Sequence, residues 1–203
     1  MGQEIQCKAR VGKIAAIGKA LLESTELIFR SPDLSLKIPF HQMTSIEAAD
    51  GWLRVESPAG SAAFQLDAQA ARWAEKIKNP KSLIDKLGVK AGMRVSVIGI
   101  RDATFLRDLK TRTSDITEGK PAKDSDIIFL GAEQDAALEK IRALPRSLKP
   151  AGAVWIVYPK GRKEITEAGV FAAGKRAGLV DVKVASFSAT HTALKFVIPV
   201  KNR

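Results

Sequence analysis

The residues best placed to bind a ligand follow three apolar segments in the second half of the chain. Each segment has the continuous apolar character of a buried strand, and small, polar or basic residues come directly after it. In open α/β sheets, ligands bind beyond the carboxyl ends of the strands. The residues placed there are Gly99, Arg101, Gly131, Glu133, Tyr158, Lys160, Arg162 and Lys163.

Four of these residues are cations, and together they would surround one crevice that favours a phosphate or a carboxylate. The alternative is that their side chains only solvate the rim of the sheet. The candidate binding residues are Gly99, Arg101, Lys160 and Arg162.

The sequence offers no set of residues that we assign to catalysis. His191 lies in the polar segment SATHT, where it is either a base near the crevice or a loop residue without function. His41 lies in PFHQ, in the other half of the chain, and Cys7 lies in an apolar strand pattern typical of an inert buried thiol. There is no nucleophile elbow, no phosphate-binding loop with its lysine, and no H-E-x-x-H motif. With two histidines and one cysteine we also expect no metal site.

The net charge of +11 belongs almost entirely to the second part of the chain. Residues 81–203 carry 23 Lys and Arg against 13 Asp and Glu, whereas residues 1–80 carry ten against nine. Such an excess attracts an anionic small molecule, an acidic protein partner or nucleic acid, or else it is a solvated basic surface. Nucleic acid is the less favoured partner, because most aromatic residues occupy apolar, periodic positions typical of a core.

The cellular setting follows from what the sequence lacks. No segment approaches the ~20 apolar residues of a membrane span, and the first residues show no apolar secretion signal. A single cysteine is typical of a reducing compartment. We therefore expect a cytoplasmic protein with no membrane partner.

The first 66 residues show short alternating strands separated by turns, which predicts an antiparallel sandwich or barrel. A helix is predicted over residues 67–79, with Asp67 as its N-cap and an apolar stripe through Trp73. The phrases ELIFRSPDLSLKIPFHQMTSIEAADGWLRVES and ARWAEKI resemble bacterial members of the pleckstrin-homology-like superfamily. The resemblance implies a β-domain over residues 1–79 that is capped by this helix and serves as an interaction module.

A different pattern begins after Asn79-Pro80, which predicts a second domain over residues 81–203. Strands predicted at 93–100, 124–132 and 153–159 alternate with helices predicted at 102–112, 133–148 and 165–179. Two further strands, at 180–187 and 193–200, form a hairpin. This alternation predicts a Rossmann-like, mostly parallel α/β sheet that ends in an antiparallel hairpin.

The phrases LPRSLKPAGAVWIVYPK and GLVDVKV resemble class I S-adenosylmethionine-dependent methyltransferases. Together with LGVKAGMRVSVIG, they more closely resemble the bacterial family called domain of unknown function 3052. The first resemblance implies S-adenosylmethionine as a cofactor. The chain departs from that pattern, because Gly99 stands alone where a glycine-rich turn is needed.

Only 23 residues separate the strand ending at Ile100 from the one beginning at Asp124. The ribose-binding strand of the methyltransferase pattern is therefore predicted to be missing or reduced to a fragment. Asp115 or Glu118 would replace its acidic residue, unless both are solvated loop carboxylates.

The prediction is thus a degenerate methyltransferase-like domain that binds or regulates without catalysis and without a cofactor. One alternative is an enzyme that binds S-adenosylmethionine or a phosphorylated or other anionic small molecule in the crevice. A nucleic-acid-associated protein is the second alternative.

Overall fold

The computed structural model describes residues 3–203, which divide into two compact units. The first unit ends at Lys81 and the second runs from Ser82 to Arg203. The division lies next to the proline at which the sequence pattern changes. The assignment of each unit as an independent domain stays a prediction. Within residues 3–203 no helix is both long enough and apolar enough to cross a membrane.

The first unit is one seven-stranded antiparallel sheet followed by a helix. Its strands lie in the order β4-β3-β2-β1-β7-β6-β5, so that only β1 and β7 pair across a long stretch of sequence. Their bounds are β1 Gln3–Val11, β2 Ile14–Leu22, β3 Glu26–Arg30, β4 Ser35–Pro39, β5 Ser45–Ala49, β6 Trp52–Ser57 and β7 Gly60–Gln65, and the helix is α1 Ala70–Lys78.

The core of the first unit lies between one face of this sheet and α1. Alternation along the strands buries Phe29 and Phe64 completely, as expected for strands with one buried face. The predicted apolar stripe of the helix is confirmed, because Ala70, Trp73, Ala74 and Ile77 are all buried.

The predicted N-cap Asp67 is wrong. Asp67 instead begins a short 3₁₀ turn with a φ of 47°, and the residue that precedes α1 makes no side-chain cap.

The second unit is a mixed α/β fold around a six-stranded sheet in the order β12-β13-β11-β10-β8-β9. Strands β11, β10, β8 and β9 run parallel, whereas β13 is antiparallel to both of its neighbours. The bounds are α2 Leu83–Leu87, β8 Val95–Ile98, α3 Ala103–Arg112, β9 Ile116–Glu118, β10 Ser125–Gly131, β11 Leu148–Pro159, α4 Glu167–Arg176, β12 Val180–Ser186 and β13 His191–Val197. The predicted parallel sheet with a terminal hairpin is thus confirmed.

Both faces of the sheet are covered at its central strands β8, β10 and β11, which explains their continuous apolar character, whereas the edge strand β12 is largely exposed. One face packs against α4 and the segment between β10 and β11, through residues such as Ile156 and Phe196. The other face packs against α2 and α3, through residues such as Trp155 and Phe129. The indole Nε1 of Trp155 donates a hydrogen bond of 2.9 Å to the carbonyl of Leu87, which ties the end of α2 to the sheet.

The segment between β10 and β11 differs from its prediction. An α-helix was expected over residues 133–148, but Asp135–Ser147 form a 3₁₀ helix. Its buried residues are Leu138, Ile141 and Leu144, and their spacing of three matches the three residues per turn of that helix. Pro145 removes a backbone donor that an α-helix would need.

Candidate functional site

A cleft of about 630 Å³ opens at the carboxyl ends of β8 and β10. The chain leaves β8 through α3 to reach β9 on one side, and then continues in β10 on the other side. This reversal of strand order is the place where open α/β sheets bind ligands. The lining residues are Gly99, Ile100, Arg101, Asp102, Gly131, Glu133, Val157, Phe187, Ser188, Thr190 and His191.

Two glycines bring the ends of β8 and β10 close together at this cleft. Gly99 has a φ of 71°, a conformation that side chains disfavour. A Cβ placed on Gly131 would lie only 2.5 Å from the carbonyl oxygen of Gly99, closer than real contacts allow. Both positions therefore require glycine, and the cleft has bare backbone there.

The residues after Gly99 leave the space above it open. The Asp102 carboxylate accepts a hydrogen bond of 2.9 Å from the backbone NH of Phe105 and so caps α3. The Phe105 ring is buried in the core, with its centroid 5.0 Å from those of Phe129 and Phe187. Ile100 is half-buried at the wall, and the Arg101 side chain is exposed.

The opposite wall carries a hydrogen-bonded pair, Glu133 and His191. Nε2 of His191 lies 3.0 Å from Glu133 Oε1, and Nδ1 lies 2.9 Å from the Thr190 hydroxyl oxygen. A carboxylate only accepts, so Nε2 carries a proton, and the Thr190 hydroxyl donates to Nδ1 when the ring is neutral. Both partners fix the orientation of the imidazole, as in sites where a carboxylate orients a histidine base.

Lys160 holds the loop between β12 and β13, which carries part of the cleft wall. Its ammonium donates to the carbonyls of Ser188 at 2.8 Å and Ala189 at 3.4 Å, and to the Ser186 hydroxyl at 3.1 Å. Because these acceptors direct Lys160 toward the loop, it does not belong to the lining.

Of the four candidate binding residues, the structure brings Gly99 and Arg101 to the cleft. Lys160 and Arg162 lie outside its lining, and Arg162 is exposed in the turn after β11. The lining contains one arginine, one histidine and two carboxylates in place of four cations. Its charge is thus mixed, which suits a ligand with both positive and negative groups better than a simple anion.

The two acidic candidates for ribose binding lie at opposite ends of β9. Glu118 ends the strand, with Oε1 3.2 Å from the ammonium of Lys110. Asp115 precedes the strand and accepts a hydrogen bond of 2.9 Å from Nε of Arg94. Neither residue lines the cleft. The strand that was predicted to be missing or fragmentary is present with three residues, parallel to β8.

Sequence reasoning placed Glu133 and His191 near the crevice but did not join them. The pairing of β13 with β11 could have indicated that the two residues lie close together. In that antiparallel register His191 lies opposite Pro159, at the carboxyl end of β11. Ser188 and Thr190 were missed because loop residues show no periodicity.

Comparisons with known proteins give partial likenesses of fold. No protein-family model matches the chain and no curated protein matches it, so membership in domain of unknown function 3052 is not supported. A methyltransferase dependent on S-adenosylmethionine from Aquifex aeolicus is similar at 16% identity, over 62% of this chain and 93% of that one, with a TM-score of 0.48.

Two further solved structures illustrate the range of these likenesses. CalO1, a methyltransferase of calicheamicin biosynthesis, is similar at 14% identity over 66% of this chain and 59% of that one, with a TM-score of 0.44. The N-terminal PH domain of human ARAP2 is similar at 9% identity over 39% of this chain and 77% of that one, with a TM-score of 0.33.

Proposed function

We propose that the second unit binds a small organic ligand in the cleft at the ends of β8 and β10, as a binding or regulatory module without catalysis. The observation that carries this proposal is the open cleft at the reversal of strand order, above the glycine pair. Its volume falls within the ~300–1,000 Å³ usual for small-molecule sites.

The lining favours a ligand that combines an apolar body with groups of both charges. Ile100, Val157 and Phe187 supply apolar surface, Arg101 supplies a cation, and Glu133 supplies a carboxylate. S-adenosylmethionine has this combination of groups. Its amino-acid carboxylate could bind Arg101, and its ribose hydroxyls or its cationic sulfur could bind the Glu133 carboxylate. The fit is partial, since Glu118 lies outside the lining and the glycine-rich turn is absent.

A second candidate is methyl transfer from S-adenosylmethionine, and the pair formed by Glu133 and His191 favours it. S-adenosylmethionine would supply the methyl group. The chain itself would supply His191 as a base at the wall of the cleft, with its ring oriented by Glu133 and Thr190. Because Nε2–H donates to Glu133, the proton removed from the methyl acceptor would go to Nδ1, and the Thr190 hydroxyl would have to give up its hydrogen bond to that nitrogen.

Nucleic acid is less well supported as a partner. Single-strand binders present aromatic faces for stacking, but Phe105, Trp155 and Tyr158 are buried. An acidic protein partner remains a proposal based on the excess of basic residues in this unit.

Calorimetric titration with S-adenosylmethionine, S-adenosylhomocysteine and ATP tests the binding proposal. We expect one-to-one binding of an adenosyl ligand, weakened by Arg101→Ala and unchanged by the matched control Arg162→Ala. Absence of binding at millimolar concentration would overturn the proposal. Conversion of S-adenosylmethionine to S-adenosylhomocysteine that is lost in His191→Ala would replace it with the second candidate.

For the first unit we propose a pleckstrin-homology-like fold that acts as an interaction module. The strand order and the packing of α1 against the sheet support this proposal. We also propose a cytoplasmic location, because the single cysteine is free and buried. Expression of a fluorescent fusion, with fractionation of the cells, tests the location.

A further inference from the structure

Three lysines from separate elements lie together on the face of the second unit that carries α2. Lys86 belongs to α2, Lys183 to β12 and Lys195 to β13. Lys183 and Lys195 are direct partners across the antiparallel pair, and the ammonium of Lys183 donates a hydrogen bond of 2.7 Å to the carbonyl of Lys86. We call these three residues the lysine patch.

The patch is electrostatically unfavourable as it stands. Like charges directly opposite each other on paired strands are destabilising. Lys86 and Lys195 are also half-buried, and burial lowers the pKa of both ammonium groups, with the positive charge of Lys183 lowering each further. The fold thus holds three cations together at a cost in free energy.

No carboxylate offsets this charge among the residues that the structure describes. None of the three lysines takes part in an ion pair there. Asp85, the acidic neighbour of Lys86 in sequence, is engaged elsewhere. Its Oδ1 lies 2.7 Å from Nη1 of Arg112, and its Oδ2 lies 2.7 Å from the Ser82 hydroxyl oxygen.

Structural contacts account for the presence of Lys183 or of Lys195 taken singly, but they do not account for three lysines placed together. Lys183 satisfies a carbonyl at the end of α2, and the ammonium of Lys195 lies 6.0 Å from the centroid of the Trp155 ring. Either role needs only one positive charge. The hydrogen bond from Trp155 to Leu87 fixes α2 against the sheet, so the position of Lys86 relative to Lys195 is set without any ligand.

We propose that the lysine patch is a binding site for a phosphate-bearing ligand, with a diphosphate group as the element that it recognises. Lysine is a compact, strongly hydrated point charge that commonly binds phosphates. Three ammonium groups match the multiple charges of a diphosphate. Trp155 is fully buried and offers no surface for stacking, so recognition is confined to the phosphates.

This site is separate from the cleft. Lys195 lies four residues along β13 from His191, which corresponds to about 13 Å at the rise of a strand. The inference therefore does not rest on the proposed function of the cleft, and the two can fail independently.

Calorimetry with pyrophosphate and with inorganic phosphate on the full chain tests the proposal. We expect one-to-one binding, tighter for pyrophosphate, and about tenfold weaker in Lys195→Gln and in Lys183→Gln because each removes one charge-assisted contact. The matched control is Lys175→Gln, an exposed lysine of α4 on the other side of the sheet, which should bind as the unaltered chain does.

The fold of the variants is checked by thermal unfolding without phosphate. Lys195→Gln should unfold at nearly the same temperature as the unaltered chain, since it removes the repulsion from Lys183 together with the contact of the ammonium with the Trp155 ring. Equal pyrophosphate affinity in Lys195→Gln and the unaltered chain would overturn the proposal, and so would an equal loss in Lys175→Gln. Absence of binding at millimolar pyrophosphate would also overturn it, whereas Arg101→Ala should leave this binding unchanged.

Discussion

The substitution Gly131→Ala tests whether the close approach of β8 and β10 at the cleft is obligatory. The new Cβ would lie 2.5 Å from the Gly99 carbonyl oxygen, about 0.9 Å short of the 3.4 Å at which ordinary contact begins. The obstacle is backbone, so no side-chain rotation relieves it. The ends of the two strands would therefore have to separate. Because β8 has only four residues and pairs with both β9 and β10, this separation would weaken a large part of its pairing.

We expect Gly131→Ala to destabilise the second unit by about 2 kcal/mol, within the range of ~1–3 kcal/mol for overpacking. Native-state amide hydrogen exchange measures this free energy strand by strand. Protection should fall in β8 and β10, while the amides of the first unit serve as an internal reference. Ligand binding in the cleft should weaken in the same variant, because the widened strand ends move Arg101.

Gly169→Ala in α4 is the matched control. Its Cβ would lie 3.3 Å from the Thr166 hydroxyl oxygen and 3.9 Å from Asp135 Oδ1, both of them side-chain atoms, and Gly169 has no positive φ. We therefore expect Gly169→Ala to change the stability by less than about 1 kcal/mol, because the helical gain of about 0.4–1 kcal/mol is opposed by the small shift that the Thr166 hydroxyl has to make. The reasoning fails if Gly131→Ala changes protection in β8 and β10 by less than about 0.5 kcal/mol, the usual effect of a surface substitution.

Three further predictions concern single side chains. Lys160→Met removes three exposed hydrogen bonds to the loop after β12, so amide exchange in that loop should accelerate about tenfold, whereas Lys163→Met should change nothing. Burial, reinforced by the Glu167 carboxylate, raises the pKa of Tyr158 to about 12. Absorbance titration of this single tyrosine should show that it ionises well above its ordinary pKa, and Glu167→Gln should lower the pKa only slightly because burial is the larger cause. Burial raises the pKa of the Cys7 thiol from 9.0 to about 11. The protonated thiol therefore contributes its full stabilisation below pH 9, and this stabilisation is lost as the pH rises to about 11. Urea unfolding should show a decrease of up to about 2 kcal/mol in the free energy of unfolding over this range, and the decrease should be absent in Cys7→Ala.

Strands with a clear apolar pattern could be predicted closely from the sequence. The strand predicted at residues 124–132 nearly coincides with β10 Ser125–Gly131, because the continuous apolar run from Ile127 to Leu130 is typical of a strand that is buried on both faces. Strand β5 was not predicted, because Ile46 is its only large apolar residue. Pairing along its whole length with β6 makes it a strand, and that partner is not visible locally.

The position of the candidate site could be predicted from the sequence, but the set of side chains that line it could not. The rule for strand ends placed Gly99 and Arg101 beyond the end of β8, and both line the cleft there. The same rule placed Lys160 with them, although its ammonium turns to the carbonyls of Ser188 and Ala189. Position along a strand determines where a backbone ends, whereas the direction of a long flexible side chain depends on acceptors that lie far away in sequence.

The insertion of β13 between β11 and β12 has a consequence for the order in which the second unit assembles. β13 comes after every other strand of the unit in sequence, yet it occupies an interior position in the sheet. During synthesis β12 is made before β13 and has no partner to join, and the edge of β11 beside Trp155 stays open. Such an open edge is a site for wrong pairing with other chains. The sheet can therefore be completed only after residues 191–197 have been synthesised, because β13 joins β12 to the edge of β11.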